Sequence, residues 1–264
     1  MMKRLANKIA VVYGDGTVGS TIAKAFAYEG ATVFFTGRTG AKLSAVAEEV
    51  SACGGLIDIA ELDALDERAV EQHMQEIIGK EGRIDISFNA IGIPQKGIQG
   101  IPLTELPVDS FLLPVTTYTR SHFVTARAAA RQMVQQGGGV ILMHTPNASR
   151  ISVPYVGGMI PAWAAIEALC RSLSAECGQY GVRAVCLLTT GIPETSLIDE
   201  VWAIHGKAHG VSYEQFNAGM ESQTHRGSLT TLKELTGGAV FVSADEGSAI
   251  MGTVLNLTAG MIID

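Results

Sequence analysis

The sequence predicts an α/β fold, a doubly wound three-layer sandwich with a seven-stranded parallel sheet at its centre. Hydrophobic residues make up 47% of the 264 residues and charged residues only 17%, which suits a parallel sheet whose two faces are both covered by helices. Strand-like apolar runs alternate along the chain with stretches that repeat apolar residues at helical spacing, as successive βαβ units do. Thirty glycines spread along the chain indicate many tight turns.

Seven runs rich in apolar and β-branched residues are predicted to be the strands. The first is entirely apolar and ends at a glycine turn, and the second reads Thr-Val-Phe-Phe-Thr. The third is less purely apolar than the others. The predicted strands cover residues 9–13, 32–36, 56–62, 84–88, 140–145, 182–188 and 253–257.

Helices are predicted between the strands, with three on each face of the sheet. Their apolar residues recur every three or four positions. Pro114 is expected in a first turn or at a kink, and Pro161 suits the first turn of its helix. The predicted helices cover residues 18–26, 43–50, 67–80, 111–136, 161–180 and 232–242.

One domain spanning residues 1–264 is expected, because no linker, repeat or low-complexity tract interrupts this alternation. Residues 195–226 stand apart as a polar and aromatic segment that holds Trp202, Tyr213 and Phe216. We interpret this segment as a substrate-side insertion above the sheet.

Charge and composition argue against several classes of protein. The formal net charge is −7 and no cationic run is longer than Lys3-Arg4, which argues against nucleic-acid binding. The longest apolar stretches fall short of a membrane span. The apolar run at residues 9–13 is too short for a signal peptide, so a cytoplasmic location is expected. The four cysteines and six histidines form no metal-ligand pattern, and no metal site is predicted.

A glycine motif follows the first strand and opens the first helix. It reads Gly14-Asp15-Gly16-Thr17-Val18-Gly19. In a GxGxxG motif of this context, the first glycine permits the tight turn and the second lets the backbone approach a pyrophosphate. The third allows close packing of the helix, whose N-terminus faces the phosphates. The motif therefore predicts a dinucleotide site formed by all six residues.

The end of the second strand predicts which dinucleotide binds. An NAD enzyme places an acidic residue there to bind the ribose 2′-hydroxyl, but no acid occurs between Ala31 and Lys42. Arg38 follows the strand instead, and its guanidinium suits a 2′-phosphate. NADP(H) is therefore the preferred cofactor, with NAD(H) as the alternative.

Taken together, these features resemble the short-chain dehydrogenase/reductase family, whose Rossmann-type fold the whole chain matches. Asp63 resembles the family residue that touches adenine. The segment that closes strand four resembles the family's Asn-Asn-Ala-Gly, and the segment after strand six resembles its Pro-Gly-x-x-x-Thr turn. The resemblance implies that the cofactor also contacts Asn89, Ala90, Gly92, Gly191, Ile192 and Thr195, the last through the nicotinamide carboxamide.

The chain departs from the family at the positions that carry its chemistry. The glycine motif is one residue shorter than the family's Thr-Gly-x-x-x-Gly-x-Gly. Alignment of the fifth long helix places Met159 at the family's catalytic tyrosine and Trp163 at its lysine, and neither can relay a proton. The chain is similar to an atypical branch that shares the segments Asp-Ile-Ser-Phe-Asn-Ala-Ile-Gly and Gly-Ile-Pro-Glu-Thr.

Two functions remain open at this point. The first is an NADP-dependent oxidoreductase that acts on a small carbonyl, alcohol or enone with a displaced proton donor, for which Tyr155, Tyr118, Thr145 and His144 are the candidates. The second is an inactive relative that binds NADP and serves as a sensor, scaffold or oligomer subunit. The resemblance further implies a homo-tetramer or homo-dimer formed through the helices at residues 111–136 and 161–180.

Overall fold

The computed structural model describes residues 3–263, and its centre is one sheet of seven parallel strands. The strand order is β3-β2-β1-β4-β5-β6-β7, which confirms the predicted doubly wound sheet. The chain reverses its winding direction between β1 and β4, the point where such sheets bind ligands. The strands are β1 (Ile9–Tyr13), β2 (Thr32–Gly37), β3 (Leu56–Glu61), β4 (Ile86–Asn89), β5 (Gly139–Pro146), β6 (Val182–Thr189) and β7 (Thr253–Leu257).

Six helices cover the sheet, three on each face, and two further helices follow β6. Helix α1 packs against α2 and α8 on one face, and α4 packs against α3 and α5 on the other. Each face holds its own buried apolar cluster. The helices are α1 (Thr17–Tyr28), α2 (Gly40–Ala52), α3 (Glu67–Glu81), α4 (Val108–Gln136), α5 (Met159–Cys177), α6 (Ile198–His209), α7 (Tyr213–Ser222) and α8 (Leu232–Ser243).

Several element boundaries differ from those predicted. Strand β4 starts at Ile86 rather than at residue 84, because the buried Asp85 carboxylate accepts the Ile9 backbone N–H at 2.8 Å. Helix α5 starts at Met159, two residues before Pro161. A proline in the first turn costs no hydrogen bond, because the first N–H groups of a helix have no partner within it.

The segment at residues 195–226 contains α6 and α7, which pack on each other through aromatic rings. The Trp202 and Tyr213 ring centroids lie 5.7 Å apart, and those of His205 and Phe216 lie 5.5 Å apart. A capping box at Ser212 starts α7. No helix within residues 3–263 combines the length and apolarity that a membrane crossing needs.

Candidate functional site

A cavity of about 630 Å³ opens at the carboxyl ends of the central strands. Its lining includes Gly16 after β1, Asn89 at the end of β4, Pro146 at the end of β5 and Thr190 after β6. Side chains of α4, α5, α6 and α7 complete the wall. The cavity therefore lies where an open parallel sheet normally binds its ligands.

The glycine turn between β1 and α1 forms one end of this cavity. Gly14 has a φ of 108°, and a Cβ there would lie 2.5 Å from the Ala90 carbonyl oxygen. A Cβ on Gly19 would collide with the Gly14 carbonyl oxygen. A Cβ on Gly16 would instead meet no atom within 4 Å. Two glycines thus permit the backbone packing, while Gly16 leaves the space beside the turn open.

The N-terminus of α1 is free to bind an anion. Its N-cap residue, Gly16, provides no side-chain hydrogen bond, so the first N–H groups of the helix lack a side-chain acceptor. Gly16, Thr17 and Val18 all line the cavity. Such a helix end carries partial positive charge and unpaired donors, which suit a phosphate group.

Asp15 lies behind this turn, beside the end of β2. Its carboxylate accepts the Thr39 backbone N–H at 2.8 Å. A Cβ on Gly37 would lie 2.5 Å from the Asp15 Cβ, so the Asp15 side chain fills the space that a side chain at Gly37 would need. Arg38, between Gly37 and Thr39, is exposed.

Asp63 lies farther out, in the loop after β3. Its carboxylate accepts the Leu65 backbone N–H at 3.0 Å. Asp63 does not line the cavity, nor do Asp15 and Arg38. These three residues can therefore contact only a part of a dinucleotide that extends beyond the cavity.

The end of β4 presents backbone and small side chains to the cavity. The buried Asn89 amide donates to the Thr125 hydroxyl at 3.0 Å and accepts the Ile91 N–H at 3.1 Å. Its side chain thereby ties the strand end to α4. Ala90 and Gly92 line the cavity beside it.

The segment after β6 forms the opposite wall. Gly191, Ile192 and Thr195 line the cavity, and the Thr195 hydroxyl donates to the Ile192 carbonyl at 2.9 Å. Since that proton is already used, the Thr195 oxygen is left to accept from a ligand N–H. Ser196 joins this wall to the glycine turn through a 3.1 Å hydrogen bond with the Thr17 hydroxyl.

Two of the four candidate proton donors line the cavity. Tyr118 is buried on α4, and burial raises the pKa of its hydroxyl to about 12, partly offset by a backbone hydrogen bond with Ile93. His144, on β5, contacts the Thr189 hydroxyl at 2.9 Å. Burial, followed by the proximity of His122, lowers the pKa of His144 to about 4. At neutral pH Tyr118 thus keeps its proton and His144 is uncharged.

The other two candidates lie outside the cavity lining. Thr145 is fully buried, and its hydroxyl donates to the Glu167 carboxylate at 3.2 Å. Tyr155 has a φ of 64° and packs edge-on against His209, with ring centroids 5.2 Å apart. The Thr145 hydroxyl thus faces Glu167 of α5, and the Tyr155 ring contacts His209, which itself lines the cavity.

Met159 and Trp163 lie one turn apart on α5 and both line the cavity. Met159 is 2% exposed and Trp163 is 9% exposed. They make this side of the cavity apolar without filling it. The space beside them remains open to Tyr118 and His144.

His122 is a cavity residue that sequence analysis did not select. Its Nδ1 lies 2.9 Å from the Tyr118 carbonyl oxygen, and only an N–H can bond to a carbonyl, so Nδ1 carries the proton. Burial lowers the pKa of His122 to about 4. Its Nε2 is therefore a neutral acceptor, and it has no partner. The four-residue spacing from Tyr118 was the available signal, since it places both side chains on one face of α4.

His205, on α6, is held in the other tautomer by a chain of amides. The Gln95 amide donates to the Ile93 carbonyl at 2.6 Å and accepts from the Gln99 amide at 2.5 Å. The Gln99 oxygen then faces His205 Nε2 at 2.6 Å, so Nε2 donates. The pKa of His205 is lowered to about 4, first by burial and then by His209. Its Nδ1 is a neutral acceptor without a partner.

Comparisons with known proteins give a consistent picture. A family model described as enoyl-(acyl carrier protein) reductase matches residues 14–262. The chain is 28% identical to an uncharacterized oxidoreductase, YxbG, of Bacillus subtilis (strain 168), over 99% of this chain and 93% of that protein. It is 26% identical to gluconate 5-dehydrogenase of Gluconobacter oxydans (strain 621H), over 93% and 91% of the two chains.

A solved structure shows the same fold. It is a gluconate 5-dehydrogenase from Burkholderia cenocepacia J2315 in complex with NADP and tartrate. The two structures agree with a TM-score of 0.85 at 23% identity, over 98% of this chain and 97% of the other.

Proposed function

Because the chain belongs to the short-chain dehydrogenase/reductase family, we propose that it is an oxidoreductase that transfers hydride between a nicotinamide dinucleotide and a carbonyl or alcohol substrate. One observation carries this proposal. The same cavity joins the free N-terminus of α1 to Tyr118, His122 and His144. A phosphate-binding end and a proton-handling end are thus within reach of one bound dinucleotide.

The proposed chemistry divides the work between cofactor and protein. When bound, the nicotinamide supplies or accepts the hydride. In the reducing direction a proton must reach the carbonyl oxygen as the hydride adds to carbon. The Tyr118 hydroxyl, with its pKa near 12, is protonated at neutral pH and can donate it. Reduction leaves Tyr118 as the phenolate, and in the oxidising direction that same oxygen takes the proton from the alcohol, because the reverse reaction passes through the same proton transfer.

We propose that the chain belongs to an atypical branch of the family. Met159 and Trp163 stand where the resemblance implies a tyrosine and a lysine, and neither side chain titrates. The proton donor is therefore proposed to come from α4, the helix that packs against α5. Counting back from Phe123-Val124-Thr125, the family resemblance puts an asparagine at the position of Tyr118, so this chain has a phenol where the family has an amide.

We also propose a preference for NADP(H) that is limited by Asp15. The exposed Arg38 supplies a guanidinium for the 2′-phosphate, and the family member from Burkholderia cenocepacia was solved with NADP. The Asp15 carboxylate lies beside Gly37, however, and already uses the Thr39 N–H. It would repel a 2′-phosphate and could accept a ribose 2′-hydroxyl. NAD(H) therefore remains a usable second cofactor.

The second candidate function is a dinucleotide-binding protein without turnover. The observation that favours it is the pair Met159 and Trp163. Neither side chain can transfer a proton, and a protein that only binds the dinucleotide needs no proton transfer. The open space beside them argues for an enzyme, because residues that merely replaced a lost catalytic pair would be expected to close the cavity.

Turnover tests this proposal directly. NADPH oxidation is followed at 340 nm with a panel of ketones and enones, for the wild type and for Tyr118→Phe. Loss of a proton donor should lower kcat by about 100-fold. Tyr180→Phe is the matched control, because Tyr180 is 49% exposed and does not line the cavity. Equal activity of Tyr118→Phe and wild type rules out Tyr118 as donor, and NADPH binding without oxidation of any substrate supports the binding protein.

A homo-tetramer or homo-dimer formed through α4 and α5 is proposed as well. Leu112, Leu113 and Phe123 of α4 are 42%, 47% and 48% exposed, which gives this helix apolar surface for a second copy. Light scattering at micromolar concentration measures the oligomeric state in solution. A protein that is only monomeric contradicts the proposal.

A further inference from the structure

We propose that the substrate is an uncharged molecule with an apolar body and at least one hydroxyl group, which donates to His122 or His205. The inference rests on the proposed oxidoreductase function and adds the chemical class of its substrate. It is carried by the charge of the cavity wall, by its apolar surface and by two acceptor nitrogens that have no donor.

No charged side chain lines the cavity in the part of the chain that the structure describes. Asp, Glu, Lys and Arg are all missing from its lining between residues 3 and 263. We call the part of the cavity lined by α4, α5, α6 and α7 its substrate end. A carboxylate or phosphate placed there would lose its hydration without gaining a counter-charge, which is costly. A sugar acid such as gluconate therefore does not suit this wall.

Large apolar side chains form much of the substrate end. Met159 and Trp163 come from α5, Trp202 from α6, and Phe216 and Met220 from α7. Aromatic rings and thioethers of this kind favour an apolar ligand body and adapt to its shape. A small, fully hydrated polyol would leave these surfaces without a partner.

Two residues of this wall carry acceptor nitrogens that have no donor. His122 Nε2 and His205 Nδ1 each expose less than 1 Å² and have no hydrogen-bond partner. Both rings are held in these tautomers by their other nitrogen, which donates to Tyr118 in one case and to Gln99 in the other. A buried acceptor without a donor is unfavourable. A ligand hydroxyl can supply the donor, whereas a ketone oxygen cannot.

Both nitrogens are buried although their residues line the cavity, so a ligand must shift the wall to reach them. His205 belongs to a stack with His209 and Phe216 that links α6 to α7. We therefore expect hydroxyl recognition and a small adjustment of these two helices to occur together.

Ligand binding can be measured without turnover. Trp163 and Trp202 are the two tryptophans of the chain and both line the cavity, so quenching of intrinsic fluorescence reports entry. The probes are menthol, its ketone menthone, and gluconate. Menthol should bind about tenfold tighter than menthone, because only the alcohol satisfies an acceptor. Gluconate should bind at least about 100-fold more weakly than menthol, because its carboxylate finds no counter-charge.

The imidazoles are tested by the double variant His122→Phe/His205→Phe, in which the ratio of menthol to menthone affinity should fall to about one, since both acceptors are gone. His73→Phe is the matched control. His73 is also buried with an unpartnered Nδ1, but it does not line the cavity, so the ratio should stay at the wild-type value. A ratio that survives in the double variant overturns the inference.

The wild-type ranking needs no variant and decides the inference by itself if the double variant does not fold. Gluconate binding as tight as menthol binding overturns it. Titration with NADPH in the same samples separates the two proposals. A protein that ranks the ligands as expected but binds no NADPH contradicts the oxidoreductase, whereas one that binds NADPH without preferring menthol contradicts only the substrate class.

Discussion

The two ends of the cavity differ in what builds them. The cofactor end depends on backbone: Gly14 and Gly19 permit close packing, and Gly16 leaves a helix N-terminus open. The substrate end depends on side chains from α4, α5, α6 and α7, whose polar groups include imidazoles, the Tyr118 phenol and the Gln215 amide. Sites formed by the backbone tolerate few substitutions, so a sequence motif predicts them well. Side-chain sites can be built from many residue types and change with the substrate.

Acid should destabilise the folded protein through the buried histidines that line the cavity. The pKa values of His122, His144 and His205 lie at about 4, whereas an ordinary histidine titrates near 6.5. The unfolded chain therefore binds more protons between these values, so the free energy of unfolding is unchanged above pH 6.5 and falls as the pH drops toward 4. Each imidazole contributes about 3 kcal/mol to this loss.

Urea unfolding between pH 7.5 and 4.5 measures the effect. His122→Phe should reduce the pH dependence of the unfolding free energy by the contribution of one proton. Leu103→Ala, at an exposed residue without an ionisable group, is the control and should leave this pH dependence as in the wild type. A wild-type unfolding free energy that is flat from pH 6.5 to 4.5 would show that these imidazoles are not buried in their neutral form.

Alanine substitution should have different effects at two glycines of the cofactor end, Gly19 and Gly16. Gly19→Ala should lower the free energy of unfolding by about 2 kcal/mol, because the new Cβ meets the Gly14 carbonyl, and should lower dinucleotide affinity as well. Gly16→Ala meets no atom within 4 Å, so its stability should stay within about 0.5 kcal/mol of wild type. Its NADPH affinity should still fall about tenfold, because the methyl group occupies space beside the pyrophosphate.

Thermal unfolding and NADPH titration on both variants measure these effects. A Gly16→Ala protein that binds NADPH as the wild type does would place the pyrophosphate elsewhere.

Arg38→Ala should weaken NADPH binding about tenfold and leave NADH binding nearly unchanged, because only NADPH carries the 2′-phosphate. Calorimetric titration with both cofactors measures the ratio. Lys42→Ala, in the first turn of α2, is a control that removes a neighbouring cation. Equal losses for the two cofactors would show that Arg38 does not contact the 2′-position.

Asp15→Asn should have the smallest effect, a gain of about threefold in NADPH affinity from the removal of one carboxylate near the 2′-phosphate. The amide oxygen can still accept the Thr39 N–H, so the turn is expected to persist. The same titration applies, with NADH as the reference. A loss of NADPH affinity would mean that the carboxylate supports the loop rather than opposes the phosphate.

The residues that the sequence suggests for the cofactor differ in their relation to the cavity. Gly16, Thr17 and Val18 line it together with Asn89 and Thr195, whereas Gly14, Asp15 and Gly19 do not. Among the candidate proton donors, Tyr118 and His144 line it while Thr145 and Tyr155 do not. Periodicity places a residue on an element but does not say which neighbour its side chain contacts. In the structure Thr145 contacts Glu167, and Tyr155 contacts His209.

The sequence by itself determined the seven-stranded parallel sheet, the place of the glycine turn and the apolar identity of Met159 and Trp163. These depend on local periodicity, on glycine conformation and on residue identity. The tertiary structure alone decided that Asp15 fills the space at Gly37, and that His122 and His205 each present an acceptor without a donor. Those properties arise from residues far apart in the chain, because burial and hydrogen-bond partners, which set tautomer and charge, exist only once the elements have packed.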